Sequence, residues 1–179
     1  SDVCSSDLMA ARLFQFRNRR KIDGACKKHL KKAMENDDLK FMKEALKEAH
    51  IAFEKDEIPV GCVVVSGGKI IARSHNLCEL LNDVTAHAEM QAITSAASYI
   101  GGKYLNECSV YITLEPCPMC AGALNWAQAK EIIFGASDEK RGYRKFNSNL
   151  LHPKTTLKGG ILEQECAALL VEFFRKKRD

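Results

Sequence analysis

Two short motifs that are rich in potential metal ligands constrain the fold of this chain more than any other feature. The first is Thr85-Ala86-His87-Ala88-Glu89, and the second is Glu115-Pro116-Cys117-Pro118-Met119-Cys120. Each motif follows a loop or a strand and lies at the predicted start of a helix, where proline is tolerated because no backbone donor is needed. A fold in which both motifs act together must therefore bring two helix N-termini to one place.

The ligand types in these motifs predict a catalytic zinc site. Cys117 and Cys120 are three residues apart, so in a first helical turn they face the same side and could bind one metal ion. The helix N-terminus favours their thiolate form. With His87 as the third ligand, a tetrahedral zinc ion keeps one position open, as catalytic zinc sites do. We therefore predict one zinc ion per subunit, held by His87, Cys117 and Cys120.

Glu89 is the predicted catalytic group. A zinc ion with two thiolate ligands is nearly neutral, so a nearby carboxylate base would help to deprotonate a water molecule. Residues two apart on a helix point to nearly opposite sides. Glu89 and His87 can therefore both approach the metal only if the metal lies beyond the end of their helix.

Alternating strand and helix patterns predict an α/β fold. Apolar runs predict five strands, near residues 60–65, 70–75, 110–114, 132–134 and 155–161. Ser66-Gly67-Gly68-Lys69 predicts a hairpin turn, because glycine tolerates positive φ. Helical spacing predicts helices that begin at Asp37 or Asp38, near residue 86, near residue 116 and around Cys166. We expect a three-layer α/β/α sandwich with a central mixed five-stranded sheet.

Residues 1–36 differ from the rest of the chain. They are rich in arginine and lysine, and they lack a sustained apolar period. We predict that they form an extension, disordered or artefactual, without a catalytic role. Residues 37–179 are then the catalytic domain.

The composition suits one globular domain. The chain has 179 residues and a net charge of +4, and no apolar run approaches the roughly 20 residues that cross a bilayer. The first ten residues lack the pattern of a secretory signal, so we expect a cytoplasmic protein without membrane contact. Basic residues crowd both ends of the chain, where they could attract nucleic acid phosphates or could simply be solvated.

At its two motifs the sequence resembles the cytidine deaminase superfamily, whose signature is His-x-Glu with Pro-Cys-x-x-Cys. It is more closely similar to the bacterial tRNA-specific adenosine deaminases. The resemblance covers about residues 38–178. Besides the two motifs, the matching stretches are Ile58-Pro59-Val60-Gly61, His75-Asn76, Phe134-Gly135-Ala136, Glu165-Cys166-Ala167-Ala168-Leu169-Leu170 and Phe173-Phe174-Arg175.

This resemblance implies a zinc-dependent hydrolase with a cytidine deaminase-like fold. The implied reaction converts adenosine to inosine at the wobble position, position 34, of tRNA, by zinc-activated water with Glu89 as proton shuttle. Asn76 would hydrogen-bond the target base, since an amide both donates and accepts, although an asparagine here could also be only a turn residue that ends a strand. Val60 and the backbone at Ala88 would line the base pocket. The resemblance also implies a homodimer that binds the tRNA anticodon stem-loop.

The resemblance further implies that the C-terminal helix contacts RNA by stacking and by phosphate binding. The phenylalanines of this helix could instead complete an apolar face that packs on the core. Leu124 and Trp126 likewise suit either a dimer interface or the core. The C-terminal residues in question are Phe173, Phe174, Arg175 and Arg178.

The loop over residues 137–153 interleaves basic and aromatic side chains. This pattern suits binding of single-stranded RNA, but it is also found in loops that are only solvated. The residues concerned are Arg141, Tyr143, Arg144, Lys145 and Phe146.

Two other functions remain open at this point. The motifs also permit a deaminase of free bases or nucleosides, acting on guanine, cytosine or cytidine. A non-catalytic RNA-binding module with a structural zinc ion is the second alternative. It would require a fourth protein ligand, for which Cys62, Cys78 or Cys108 could approach in space.

Overall fold

The secondary structure follows the apolar periodicity of the chain. The computed structural model describes residues 24–146 and 149–178. Its helices are α1 (Gly24–Glu54), α2 (Cys78–Leu81), α3 (Ala88–Ile100), α4 (Pro118–Trp126), α5 (Tyr143–Phe146) and α6 (Glu163–Lys176). Its strands are β1 (Gly61–Ser66), β2 (Lys69–His75), β3 (Cys108–Leu114), β4 (Glu131–Ala136) and β5 (Thr156–Lys158).

The five strands form one mixed sheet in the order β2-β1-β3-β4-β5. β1 pairs antiparallel with both β2 and β3, whereas β3, β4 and β5 run parallel. Gly67 and Gly68 have φ angles of 57° and 75°, so they form the predicted hairpin turn between β1 and β2. The predicted mixed five-stranded sheet is confirmed.

Both faces of the sheet are covered, because the continuous apolar run of β1 is buried on both faces. Cys62 and Val64 face a cluster that includes Ala92 and Leu124 of α3 and α4. Val63 and Val65 face the opposite cluster, which includes Met42 of α1 and Cys166 of α6. The side-chain period of two places successive strand residues on opposite faces. Helices therefore lie on each face, and the predicted three-layer α/β/α arrangement is confirmed.

The strand ends that carry the two motifs meet at one end of the sheet. Gly61 at the start of β1 is opposite His75 at the end of β2, and Leu114 at the end of β3 is level with Ala136 at the end of β4. We call this the site end of the sheet. In open α/β sheets, ligands bind beyond the carboxyl ends of parallel strands, and β3 and β4 end here.

The first helix differs from its prediction. It begins at Gly24 in the described part of the chain, so Asp37 and Asp38 lie within it and are not its N-caps. Asp38 instead accepts hydrogen bonds from the Tyr111 hydroxyl and from Lys158, which joins α1 to β3 and β5. Residues 38–179 form a compact unit that contains the whole sheet. Residues 1–23 lie outside the described residues, and the predicted domain division stays a prediction.

Two short helices, α2 and α5, lie within segments that the sequence predicts as loops. Four residues form each of them, which is too short for an apolar period to be recognised. No helix in the described ranges is both long enough and apolar enough to cross a membrane.

Candidate active site

The fold brings together three potential metal ligands from the two motifs. The nearest ligand atoms of His87, Cys117 and Cys120 all lie within 4.8 Å of one another. The Nδ1 atom of His87 is 3.7 Å from the sulfur of Cys117 and 3.5 Å from the sulfur of Cys120. Within the described residues, no further histidine, cysteine or carboxylate joins this group. These residues therefore do not form a closed structural zinc site, which has four protein ligands.

Two helix N-termini hold this group. His87 is the N-cap of α3 and Cys117 is the N-cap of α4, each with extended backbone angles. Their carbonyl oxygens accept the first helical hydrogen bonds, from Gln91 and Ala121. Pro118 follows Cys117 at the first helical position, where its fixed φ suits the helix. The predicted meeting of two helix starts is thus present, with His87 and Cys117 at the helix ends and Cys120 in the first turn of α4.

The protonation of the two thiols depends on their mutual hydrogen bond. The hydrogen bond from Cys120, with a further one from His87, lowers the pKa of Cys117 to about 4. The same bond, together with burial, raises the pKa of Cys120 well above its usual value. Its hydrogen bond to Cys117 raises the pKa of His87. The protein groups alone therefore favour one thiolate here, and a dication is needed to hold both sulfur atoms as thiolates.

The donor set fits zinc. Two sulfur atoms and one imidazole nitrogen converge at distances that a single tetrahedral ion can span, and three protein ligands leave one position for substrate or water. Because His87 faces the sulfur atoms through Nδ1, that nitrogen is the one available to a metal ion.

Glu89 lies beside this group and is almost completely buried, with 4% of its surface exposed. Burial raises the pKa of its carboxyl to about 7, since the charged form loses its hydration. A hydrogen bond links the Glu89 carboxyl to the Cys120 thiol. A carboxyl group whose pKa is near neutrality can both accept and release a proton at physiological pH.

The predicted base-pocket residues lie together at the site end. Asn76 follows β2, and its backbone N–H donates to the Val60 carbonyl at 3.1 Å. The hydroxyl of Ser74 donates to the Ala88 carbonyl at 2.7 Å, which ties β2 to the start of α3. The N–H of Leu77 donates to the carbonyl of Ala86, next to His87. These hydrogen bonds thus connect the segments that contain Val60, Asn76 and Ala88 to one another and to the segment that contains His87.

A buried carboxylate in this region has no recognisable signal in the sequence. Glu57 is fully buried and accepts a hydrogen bond from the side-chain amide of Asn76 at 3.0 Å. It also accepts one from the backbone N–H of Leu80 at 2.8 Å. Glu57 stands in the polar turn Asp56-Glu57 before the first strand, where a glutamate is ordinarily solvated.

A second unforeseen contact joins the cysteine motif to the following loop. The carboxylate of Glu115 accepts hydrogen bonds from Arg144 Nε at 2.9 Å and from Nη2 at 2.7 Å. It also accepts the backbone N–H groups of Asp138 and Arg144. A Cβ atom on Gly142 would lie 2.6 Å from this carboxylate, so the loop requires glycine there. The Arg144 side chain and its neighbours lower the pKa of Glu115 despite its burial.

This contact bears on the basic and aromatic loop. The guanidinium of Arg144 pairs with Glu115 and lies 4.8 Å from the centre of the Phe134 ring. Tyr143 is buried. Arg141, Lys145 and Phe146 are exposed. Arg144 contacts Glu115 and Phe134, and Tyr143 is buried, so both are used within the protein itself. For the exposed Arg141, Lys145 and Phe146, RNA binding and simple solvation are both still open.

The predicted RNA-binding residues of the C-terminal helix differ in their exposure to solvent. Phe173 is 4% exposed, whereas Phe174 is 47% exposed. Phe173 packs edge to face against Phe53, with ring centres 5.8 Å apart. Arg175 and Arg178 are exposed.

A groove of about 780 Å³ runs beside this helix. Its walls come from the end of α1, from α2 and from α6. Lining residues are Lys55, Asp56, Ile58, Glu79, Leu80, Phe173, Phe174 and Lys177.

Leu124 and Trp126, for which the sequence allowed either an interface or a core position, differ in their burial. Leu124 is fully buried in the cluster beneath α3 and α4, so it belongs to the core. Trp126, at the end of α4, is 83% exposed.

Comparison with known proteins agrees with this geometry. Residues 35–136 match the family described as the cytidine and deoxycytidylate deaminase zinc-binding region. This range contains both motifs and four of the five strands. The fold and the site together therefore define a zinc-dependent deaminase.

Individual proteins with high sequence identity to this chain define a smaller family within the deaminases. A tRNA-specific adenosine deaminase from Bacillus subtilis is 45% identical over 150 residues, covering 81% of this chain and 92% of the relative. One from Agrobacterium fabrum is 43% identical, covering 77% and 94%. A solved structure from a study of A-to-I editing by tRNA:A34 deaminases is 42% identical, with a TM-score of 0.68 over 73% of this chain and 98% of that one. The chain belongs to the family of tRNA-specific adenosine deaminases.

Proposed function

We propose that this protein converts adenosine to inosine at wobble position 34 of tRNA. The main support is the similarity to proteins named tRNA-specific adenosine deaminase, at 40–45% identity over more than three quarters of the chain. The ligand group at the meeting of α3 and α4 supplies the chemistry that such a reaction requires.

The proposed zinc ligands are His87, Cys117 and Cys120. When bound, zinc supplies Lewis acidity that promotes the ionisation of water. Glu89 accepts a proton from the attacking water and delivers it to a ring nitrogen of the base. It then takes the remaining proton of the added hydroxyl and delivers it to the amine, which leaves as ammonia when its C–N bond breaks. The burial that raises the pKa of Glu89 to about 7 suits both directions of transfer.

Asn76, Val60 and Ala88 are proposed to hold the base. Asn76 lies where β2 ends, one backbone hydrogen bond away from Val60. Its amide both donates and accepts, so it can recognise the edge of a purine. The uncapped first turn of α3 adds backbone N–H groups next to Ala88.

The groove beside α6 is the proposed path of the anticodon loop. Arg175 and Arg178 are exposed cations at the end of that helix, and cations of this kind bind phosphates. Phe174 is half exposed and available for base stacking. We include Phe173 as part of the groove wall, where its packing on Phe53 supports Phe174 through an edge-to-face contact of 5.4 Å.

Replacing these arginines tests the path. Arg175→Ala and Arg178→Ala should raise KM for the stem-loop several-fold and flatten its salt dependence, because each removes a phosphate contact. Lys130 provides a matched control, since it is exposed at the start of β4, away from the site end. An equal rise in KM for Lys130→Ala would contradict the proposed path.

A homodimer in the cytoplasm is the proposed working form. Trp126 is 83% exposed, and a large exposed aromatic residue is typical of the centre of an interface. Sedimentation of the wild-type protein should give a dimer, and Trp126→Glu should shift it towards monomer. An unchanged mass for this variant would argue against Trp126 as the interface residue.

The reaction itself is tested with zinc-loaded protein and an anticodon stem-loop. A stem-loop with A34 should yield inosine and ammonia, and the same stem-loop with G34 serves as the control substrate. Failure to form inosine would contradict the proposed function. Release of ammonia from guanine, cytosine or cytidine, without inosine, would instead establish a free-base or nucleoside deaminase.

A further inference from the structure

Glu57 is a fully buried carboxylate without a cationic partner among the described residues. A buried carboxylate that is not paired with a cation needs hydrogen-bond donors in compensation. The two donors that it has are the Asn76 side-chain amide and the Leu80 backbone N–H. These contacts join the end of α1, the residue after β2 and the short helix α2.

The two oxygens of Glu57 have separate partners. Oε1 accepts from the Leu80 backbone at 2.8 Å, and Oε2 accepts from Nδ2 of Asn76 at 3.0 Å. A carboxylate in this role can only accept. It therefore admits the nitrogen end of the Asn76 amide and excludes the oxygen end.

The rest of Asn76 is held independently of Glu57. Its backbone N–H donates to the Val60 carbonyl at 3.1 Å, and the next residue donates to the Ala86 carbonyl. Its side-chain oxygen accepts from the Cys78 thiol at 3.5 Å, a weak donor. The main chain is thus held by strong bonds, whereas the direction of the amide depends on Glu57.

The position of Glu57 links this amide to the groove beside α6. Ile58, which follows Glu57, and Leu80, which Glu57 binds, both line that groove. Glu57 thus lies between the proposed path of the RNA and the residue proposed to read the base.

We propose that Glu57 is a positioning residue that holds the Asn76 amide in one of its two orientations, and thereby determines which hydrogen-bonding groups the target base meets. This inference rests on the proposed role of Asn76 in base recognition. An amide turned through 180° exchanges its donor and its acceptor, so the base would meet the wrong group.

Replacement by glutamine separates this role from simple packing. Glu57→Gln keeps the size of the side chain but leaves one acceptor for two N–H donors. If the single oxygen stays on Leu80, the new NH₂ group faces Asn76, and the Asn76 amide must turn its oxygen towards it. A packing role predicts a nearly normal enzyme, whereas a positioning role predicts a folded enzyme with a misdirected Asn76.

Kinetics with the A34 stem-loop test the proposal. We expect Glu57→Gln to lower kcat by about 10- to 100-fold, because the target base would meet the wrong end of the amide and a buried hydrogen bond to the base would be left unmade. KM should change by no more than about 3-fold, because phosphate contacts dominate affinity for nucleic acid. In the double variant with Asn76→Ala, kcat should fall no further than about twofold below that of Asn76→Ala alone. Losses that multiply in the double variant would overturn the proposal, as would a normal kcat in Glu57→Gln.

A matched control and a spectroscopic signal complete the test. Asp38 is also a buried carboxylate that accepts two donors, from Tyr111 and Lys158, and it lies away from the base pocket. Asp38→Asn should lower stability but leave kcat unchanged. An equal loss of kcat in Asp38→Asn would show a merely structural effect and overturn the proposal.

The side-chain amide of Asn76 can be followed by NMR without any substrate. Its ¹H–¹⁵N signals are the pair missing from Asn76→Ala, and they should shift in Glu57→Gln but not in Asp38→Asn. Unshifted signals in Glu57→Gln would overturn the proposal. If the wild-type protein does not deaminate A34, the proposed function fails, and this spectrum still decides whether Glu57 orients Asn76.

Discussion

Two carboxyl groups near the cysteine motif are equally buried, but their pKa values are shifted in opposite directions. Glu89 and Glu115 are each 4% exposed. Burial raises the pKa of Glu89 to about 7, whereas hydrogen bonds and the Arg144 cation lower the pKa of Glu115 in spite of its burial. Loss of hydration thus acts on both groups, and the partner decides the outcome. The comparison fits the proposed role of Glu89 as a proton carrier, whereas Glu115 contacts the backbone and Arg144 of the following loop.

The two regions also differ in what organises them. Glu89 lies in the first turn of α3, two residues after the helix N-cap His87. Glu115 instead accepts hydrogen bonds from Asp138 and Arg144, which come about twenty to thirty residues later in the chain. The metal region should therefore depend on zinc, and the Glu115 region should not.

Removal of zinc gives the largest expected effect. A chelator should abolish turnover, because the Lewis acid is lost, and added zinc should restore it. The amide protons of Asp138 and Arg144, which donate to Glu115, should keep their protection from hydrogen exchange in the metal-free protein. Loss of that protection would show that the two regions are not independent.

Substitution of Glu89 gives the next largest effect. Glu89→Gln should lower kcat by about 10²- to 10⁴-fold, the range for loss of a general acid-base group, while zinc content stays at one ion per chain. Glu115→Gln should lower kcat far less. Single-turnover assays and metal analysis measure both quantities. A comparable loss of kcat in the two variants would remove the distinction between the two carboxylates.

Substitution of Glu115 should act on stability. Glu115→Gln keeps the shape but weakens the contact with Arg144, whose side chain is 43% exposed. With solvent screening of the arginine, we expect a loss of about 1–2 kcal/mol in the free energy of unfolding. Urea denaturation measures it, with Glu131→Gln as a control at the far end of the sheet. No difference between these two variants would argue against a holding role.

The smallest expected effect is that of Arg144→Lys. Lysine keeps the charge but cannot form the two parallel bonds to Glu115. We expect a loss of about 0.5 kcal/mol or less in unfolding free energy at low salt. A larger loss than that of Glu115→Gln would show that the arginine acts mainly through its stacking on Phe134.

The metal region could be predicted from the sequence because its information is local. The helix N-cap positions of His87 and Cys117, the spacing of Cys117 and Cys120 and the proline after Cys117 all follow from rules for the first turn of a helix. The alternating strands and the Gly67-Gly68 turn follow from similarly local rules. The five-stranded sheet was predictable for the same reason.

The start of α1 was not predictable, because Asp37 and Asp38 look like helix caps in the sequence. The Asp38 carboxylate does not cap the helix but accepts tertiary hydrogen bonds from Tyr111 and Lys158. The separate burial of Phe173 and Phe174 could not be read either, since adjacent helical residues diverge by only about 100° and the packing of Phe53 decides which is covered.

The sequence by itself thus determined the layer order and the helix starts that bring His87, Cys117 and Cys120 together. Only the tertiary structure decided the surroundings of the carboxylates: Glu57 on Asn76 and Leu80, and Glu115 on Arg144. The physical reason is that the charge and hydrogen bonding of a buried carboxylate depend on donors from distant parts of the chain. No local pattern records which donors the fold will bring to it.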